Sequence, residues 1–229
     1  MKKPTAGNAA AWSLPRVVDF FATHRTGTAD VYASERFFIE PRLKPGIRVL
    51  DVGCAQGGFA SVLAEHLTDF EYTGVDISAD MIAAARARHP KHAFHQVDEG
   101  TLGPARDRQF DLVLVLGILH LHEKWRDTLA AAWGATAGSL IFDLRETDGP
   151  TIADKERSYM RMDFHGGDAR HAETRVPYIV LNAGEALGAA RTICDGAKRL
   201  SRYGYLHAAT ASATTPVAEV MASVYCAER

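Results

Sequence analysis

The residues best suited to chemistry lie in the segment VLDVGCAQGGF, residues 49–59, with acidic residues following at Asp76 and Asp98. Glycines let the backbone turn tightly and approach a ligand, because no Cβ stands in the way. A helix that begins after such a turn offers unpaired N–H groups to a negative group. The spacing Gly-x-Ala-x-x-Gly, which starts at Gly53, is a degenerate dinucleotide-binding pattern. The loop alone therefore also fits a nicotinamide-dependent oxidoreductase or a turn without a ligand.

Acidic residues occur at the ends of three successive predicted strands, at Asp51, Asp76 and Asp98. In an open parallel sheet the carboxyl ends of the strands converge on one ligand crevice. Asp76 is placed to accept hydrogen bonds from both hydroxyls of a ribose. Asp98 can accept a hydrogen bond from the exocyclic amine of an adenine. The pattern therefore predicts a nucleoside-containing cofactor.

The set VLDVGCAQGGF, YTGVDIS, HQVD and FDLVLVLGILHLH closely resembles the motifs of class I methyltransferases that use S-adenosylmethionine (SAM), over about residues 47–145. The resemblance implies SAM as cofactor and S-adenosylhomocysteine (SAH) as product. The loop Gly53–Gly57 would hold the methionine moiety, with Ala55 standing where family members more often have glycine. The other implied contacts are Asp76 at the ribose, Ile77 and Met81 beside the adenine, Asp98 at its amine, and the backbone of Leu116 and Gly117 at the amino group.

The elements that must position these residues follow from the apolar pattern. Five short apolar runs are typical of buried strands, at 48–53, 71–77, 93–98, 110–118 and 139–145. Helical stripes separate them, and such alternation predicts an α/β fold with a doubly wound, mostly parallel sheet. Two consecutive runs near the end, 203–211 and 219–227, predict a closing antiparallel pair and bring the sheet to seven strands. The family resemblance further implies that the final strand inserts antiparallel beside the sixth.

Length and pattern predict a single domain over 1–229. Residues 1–45 are expected to form N-terminal helices, from which Tyr32 and Arg36 are candidates to fold over the carboxylate of the cofactor. The alternative for this pair, a packed tyrosine and a solvated arginine, is favoured by the sequence. The segment 146–182 is polar without a clear period, and we expect it to be a substrate cap inserted after the fifth strand. A surface or structural role stays open for each candidate substrate contact, namely His122, Arg145, Tyr159, His165, Tyr178 and Asn182.

His120 is the candidate catalytic residue. It falls at the carboxyl end of the fourth predicted strand, and its near-neutral pKa would suit a base that removes a proton from a hydroxyl. The alternative is a histidine that is hydrogen-bonded at a strand–helix junction. The pair His120-x-His122 does not indicate a metal site, because no carboxylate or cysteine nearby completes a ligand set.

Composition limits the class of partner. The formal net charge of −2 argues against a nucleic acid, since phosphate tracks call for a basic surplus. The longest aliphatic run, 112–119, is far below the roughly 20 residues of a membrane span. Cys54, Cys194 and Cys226 are scattered, which favours reduced thiols and a cytoplasmic location. The oligomeric state, monomer or homodimer, is left open by the sequence.

The function hypothesis is methyl transfer from SAM to an oxygen or nitrogen atom of a small metabolite. The sulfonium of SAM is already activated, so the protein needs mainly to hold donor and acceptor in line. The Gly-Gly-Phe loop and the segment VPYIVLN resemble bacterial enzymes of surface-saccharide or secondary-metabolite pathways. Two alternatives remain at this point: an NAD(P)-dependent oxidoreductase, and a SAM-binding module without catalysis.

Overall fold

Five parallel strands form the larger part of the main sheet in the computed structural model, which describes residues 8–162 and 174–229. In chain order they are β1 (Ile47–Val52), β2 (Phe70–Asp76), β3 (Ala93–Gln96), β4 (Phe110–Val115) and β5 (Thr136–Thr147). In space their order is β3-β2-β1-β4-β5, so the chain runs outward from β1 in both directions. This arrangement confirms the predicted doubly wound α/β class. The crevice at its reversal point lies beyond the carboxyl ends of β1 and β4.

The remaining elements complete the described chain. The helices are α1 (Asn8–Trp12), α2 (Pro15–Phe21), α3 (Ala33–Ile39), α4 (Gly58–His66), α5 (Ala79–Arg88), α6 (Trp125–Gly134) and α7 (Ala183–Ile193). The remaining strands are β6 (Tyr159–Arg161), β7 (Arg175–Pro177), β8 (Leu181–Asn182), β9 (Arg199–Ala208), β10 (Ala213–Thr214) and β11 (Glu219–Glu228).

The C-terminal strands close the sheet in the order that the family resemblance implies. β11 lies between β5 and β9 and is antiparallel to both. Within the described residues the main sheet has eight strands and not seven, because the two-residue β8 adds to β5 in parallel. So short a strand carries no readable period in the sequence. β9 also begins at Arg199, earlier than the predicted 203–211.

Helices cover both faces of the sheet because neighbouring strand residues point to opposite sides. In β1, Val49 packs in the core under α3, α4 and α5, whereas Leu50 packs in the core under α6. α5 begins as predicted, with the Ser78 hydroxyl accepting a hydrogen bond from the Met81 N–H at 3.3 Å. None of the helices in the described ranges combines the length and the apolar character that crossing a bilayer requires.

The segment 146–182 is more regular than its polar sequence suggests. β6 pairs antiparallel with β7 and with β10, which makes a separate three-stranded sheet. The first two residues of the segment 146–182 still belong to β5. The lack of a clear period in the sequence therefore does not mean a lack of strands in the described part of 146–182. The substrate-cap role of the segment remains a prediction.

Candidate functional site

The turn after β1 depends on residues with a left-handed backbone. Gly53 has φ +78°, Ala55 +45° and Gly57 +77°. The N–H groups of Gly53 and Cys54 donate to the Val75 carbonyl at 2.8 and 3.1 Å, which ties the turn to the end of β2. A Cβ at Gly53 would also lie 2.6 Å from the Ile118 side chain, so glycine is required there on two grounds.

Ala55 therefore occupies a backbone conformation that normally favours glycine, at a cost of about 1–2 kcal/mol. We expect Ala55→Gly to leave the free energy of unfolding unchanged or to raise it by up to ~1 kcal/mol, because relief of strain offsets the added chain entropy. Ala64, which is exposed in α4, provides the control. Ala64→Gly should lower the free energy of unfolding by about 1 kcal/mol. Urea denaturation measures both, and equal losses in the two variants would contradict the assigned strain.

The N-terminal segment packs directly onto this turn. The Gln56 side-chain amide donates to the Val18 carbonyl at 2.6 Å. A Cβ at Gly58 would lie 2.3 Å from the Arg25 carbonyl oxygen, so the absence of a side chain permits this backbone contact. The missing side chain of Gly58 thus leaves room for residues 24 and 25 beside the turn, where both line the cavity.

Asp76 stands at the end of β2 and organises the turn. Its Oδ2 accepts the Ala55 N–H and its Oδ1 accepts the Ser78 N–H, each at 2.9 Å. Burial raises the pKa of Asp76, and these N–H donors oppose that rise. A carboxylate has more lone pairs than these two bonds use, so both oxygens can still accept hydroxyl groups of a ligand.

Asp51 lies deeper, and its carboxylate accepts a hydrogen bond from the Tyr72 hydroxyl at 2.6 Å. The residue is 3% exposed. Burial raises the pKa of Asp51 to about 7, against the lowering effects of Tyr72 and Arg25.

One cavity, of about 310 Å³, collects most of the predicted residues. It lies at the carboxyl ends of the central strands, and Asp98 on its wall is exposed two residues beyond the end of β3. The predicted residues that line it are Tyr32, Asp51, Gly53, Ala55, Asp76, Ile77, Met81, Asp98, Leu116, Gly117, His120, His122 and Arg145.

The other predicted residues lie elsewhere in the described structure. Gly57 is the N-cap of α4, Arg36 is exposed on α3, and Tyr159 packs its ring under the Arg175 guanidinium at 4.1 Å. Asn182 caps α7, its side chain accepting from the Gly184 and Glu185 N–H groups. Tyr178 is buried behind His120, with the two rings edge to face at 5.4 Å. His165 lies outside the described residues.

Arg25 is the cavity cation that sequence reasoning missed. Its guanidinium forms an ion pair with Glu35, which is 2% exposed, and lies 5.2 Å from the centre of the Tyr32 ring. Burial raises the pKa of Glu35, and Arg25 opposes that rise. Arg25 sits in a turn between helices, where no periodicity singles it out. An apolar wall of the cavity was also not predicted and consists of Trp12, Phe20, Phe21, Leu121 and Met160.

A polar cluster lies where β4 and β5 end. Asp143, 4% exposed, accepts the Gly117 N–H at 2.5 Å and also the Arg145 guanidinium. Burial alone would raise the pKa of Asp143, but the Arg145 guanidinium and the Gly117 N–H hold it below its usual value. His122 Nδ1 lies 3.3 Å from a Glu99 carboxylate oxygen. Asp143 therefore links Arg145 to Gly117, whose backbone is expected to hold the amino group of the cofactor.

His120 is neutral in this environment. Burial, reinforced by Arg145, lowers the pKa of His120 to about 3, which corrects the near-neutral value expected from the sequence. We therefore expect its NMR signals not to titrate between about pH 5 and about pH 8. Assignment through His120→Gln identifies the resonance, and the other histidines serve as internal controls. A His120 titration near 6.5, the pKa of an unperturbed histidine, would contradict this environment.

Comparison with known proteins agrees with this geometry. A family model described as "Methyltransferase domain" matches residues 50–145. The fatty-acid O-methyltransferase of Mycolicibacterium smegmatis is 42% identical over 82 residues, covering 35% of this chain and 30% of that protein. The trans-aconitate 2-methyltransferase of Rhodopseudomonas palustris is 35% identical over 85 residues, covering 37% and 31%. The chain thus spans about a third of the length of these relatives.

The fold is also found among solved structures. Magnesium protoporphyrin IX methyltransferase from Synechocystis PCC 6803, crystallised with bound SAM, aligns over 100% of both chains with a TM-score of 0.58 at 14% identity. At that identity the likeness concerns the fold alone. The matched domain contains the turn after β1, Asp76, Asp98 and the end of β4, which are the parts of the cavity that the motifs predicted. Residues 50–145 thus match the methyltransferase-domain family, and the chain has the fold of class I SAM-dependent methyltransferases.

Proposed function

We propose that the protein transfers the methyl group of SAM to an oxygen or nitrogen atom of a small molecule bound in the cavity. The observation that carries the proposal is the convergence of the β1 turn, Asp76 and Gly117 on a single cavity. Oxygen is favoured within this proposal, because the names of the two relatives above state a fatty acid and trans-aconitate as what they act on. The saccharide or secondary-metabolite pathway stays a prediction from sequence.

The proposed arrangement of SAM follows the polar groups along the cavity. Asp76 would accept the ribose hydroxyls, and Asp98 the adenine amine. Ile77 and Met81 would contact the adenine ring. Met81 lines the cavity and is shielded from bulk water, which suits a contact with an apolar ring face. The methionine end would then lie near Gly117 and Arg25, which approach each other closely. SAM supplies an activated methyl group, and the protein holds it against the acceptor.

Little proton chemistry is required of the chain in this proposal. Correct positioning of two reactants is worth about 7–11 kcal/mol at the ideal limit. His120 lines the cavity, but a group with a pKa of about 3 is a weak base toward a hydroxyl. We therefore assign His120 a hydrogen-bonding role toward the acceptor and not proton removal.

Calorimetric titration with SAM, SAH and NADPH tests the proposal directly. We expect binding of SAM and SAH and no heat from NADPH. Incubation with SAM carrying a labelled methyl group and a panel of metabolites should then transfer label to an acceptor. Binding of NADPH without binding of SAH would reject the proposal. Binding of SAM without transfer to any acceptor would favour a binding module instead.

A further inference from the structure

The end of the cavity near Gly117 is organised around the ion pair of Arg145 with Asp143. One oxygen of Asp143 accepts the Gly117 N–H and the other accepts Arg145, so this carboxylate is committed to the fold. Arg145 is fixed in return, and its side chain lines the cavity with 15% of its surface exposed. The pair thus holds a guanidinium at a set place beside the expected methionine end of SAM.

Arg145 keeps donors for a ligand. Among the described residues its side-chain hydrogen bonds go to Asp143 and Tyr178. A guanidinium carries more N–H groups than two partners occupy, arranged as a planar fork that matches a carboxylate. His120 lines the same end, 7% exposed, and its Nδ1 has no hydrogen-bond partner in the described chain. A guanidinium with further N–H donors and a histidine ring therefore line the same end of the cavity.

Among the described residues that meet at this end, none is set up to remove a proton from the acceptor. Asp143 is paired with Arg145, Glu35 is paired with Arg25, and His120 is held neutral by burial. An acceptor that already carries its lone pair as an anion needs no base. Among small-molecule oxygen nucleophiles, a carboxylate is the group that is ionised at neutral pH without help.

The charges beside Gly117 also favour an anion once SAM is bound, whereas the carboxylates of Asp76 and Asp98 stand at the ends of β2 and β3. Arg145 with Asp143 and Arg25 with Glu35 each form an ion pair, so the sulfonium is the unpaired cation that the acceptor meets there. Opposite charges attract strongly in a water-poor cavity, because its effective dielectric constant is low. The apolar wall of Trp12, Phe21 and Met160 provides such surroundings and a surface for a hydrocarbon tail.

We propose that the acceptor is an alkyl or aryl monocarboxylic acid, bound as its anion between Arg145, His120 and the sulfonium of SAM. This inference rests on the proposed function. In the reaction a carboxylate oxygen donates its electron pair to form the O–CH3 bond while the S–CH3 bond breaks and its pair stays on sulfur. The products are a methyl ester and neutral SAH, and no proton is released.

The test compares ligands that differ in one group. The wild-type protein is loaded with SAH or with sinefungin, which carries an ammonium where SAM has its methylsulfonium. Each complex is titrated with octanoate, decanoate and 3-phenylpropionate, and with the amide and the primary amine of each. We expect at least one acid to bind the sinefungin complex at least tenfold more tightly than its own amide, and tenfold more tightly than it binds the SAH complex.

Each outcome decides between the two proposals. Absence of SAH and sinefungin binding would reject the proposed function itself. Normal binding of both, with no acid preferred over its amide or with an amine preferred, would overturn this inference and leave the methyltransferase proposal standing. Formation of a methyl ester from the preferred acid and SAM, detected by mass spectrometry, would support both.

Variants locate the carboxylate. Arg145→Gln should abolish the preference for acid over amide, and the comparison is made on the protein saturated with sinefungin because loss of the partner of Asp143 also affects the cofactor end of the cavity. Since the substitution leaves Asp143 unpaired, Arg145→Lys provides a second variant that keeps the charge and loses the planar fork of the guanidinium. Its preference for the acid over the amide should fall only in part. Arg202→Gln is the matched control, because Arg202 also pairs a buried carboxylate, Glu146, but does not line the cavity. Full acid preference in both Arg145 variants would overturn the inference.

Discussion

Replacing Asp76 with alanine is expected to weaken SAH binding at least a hundredfold while the protein stays folded. The proposed hydrogen bonds to the two ribose hydroxyls are charge-assisted and worth about 1.5–3 kcal/mol each. The variant also removes the acceptor that the Ala55 and Ser78 N–H groups share, which loosens the turn itself. Calorimetry measures the affinity and circular dichroism checks the fold.

Asp80 provides the matched control for this experiment. It lies in the first turn of α5, is exposed, and does not line the cavity. Asp80→Ala should leave SAH affinity unchanged and cost roughly 0.3–1 kcal/mol of stability through the helix dipole. Equal affinities in Asp76→Ala and wild type would show that the ribose binds elsewhere.

Gly58→Ala is expected to lower SAH affinity at least tenfold and to cost about 1–3 kcal/mol of stability. The added methyl group would meet the Arg25 carbonyl at 2.3 Å, and backbone cannot move aside as a flexible side chain can. Displacement of residues 24 and 25 would carry the Arg25 guanidinium away from the cavity. Calorimetry and urea denaturation give the two quantities.

The control is a glycine with free space around it. Gly188 is exposed inside α7, and a Cβ there meets nothing within 4 Å. Gly188→Ala should therefore stabilise the protein by about 0.5–1 kcal/mol, because alanine loses less chain entropy in a helix. Its SAH affinity should match wild type. A Gly58→Ala variant that behaves like Gly188→Ala would exclude a tight packing of Arg25 on the turn.

The central sheet was predictable because its signals are local. β1 and β4 are nearly continuous apolar runs, as strands covered on both faces must be. The acidic residue that ends β2 was assigned from the same pattern. The strand order additionally required the family resemblance, since periodicity alone does not say that β11 inserts between β5 and β9.

The N-terminal part of the cavity was predicted less well, for a geometric reason. In α3 the buried residues are Ser34, Glu35, Phe38 and Ile39, which places Arg36 on the opposite face. Phe37 and Phe38 are adjacent and point about 100° apart, so the apolar residues of this run alone do not show which face of α3 is buried. A helical wheel with Phe38 at the centre of the buried face would have predicted that Arg36 is exposed to solvent. Nothing local would have indicated Arg25.

The state of His120 lay beyond sequence reasoning altogether. Its low pKa depends on burial and on Arg145, which comes from a different strand. The strands of 146–182 depend on distant residues in the same way, since β6 pairs with β10 across about 50 positions of sequence. Such non-local pairing leaves no trace in a window of a few residues.

The position of β11 inside the sheet sets an order of assembly. β9 is synthesised before β11, yet in the described structure its hydrogen-bonded neighbour in the sheet is β11. A nascent chain that has emerged only as far as β9 must therefore hold that strand without a docking edge, and β5 keeps one edge largely open until β11 arrives. Unpaired edges are where chains associate wrongly. The interval between the two strands is thus the stage of biosynthesis at which we expect this protein to need most protection from aggregation.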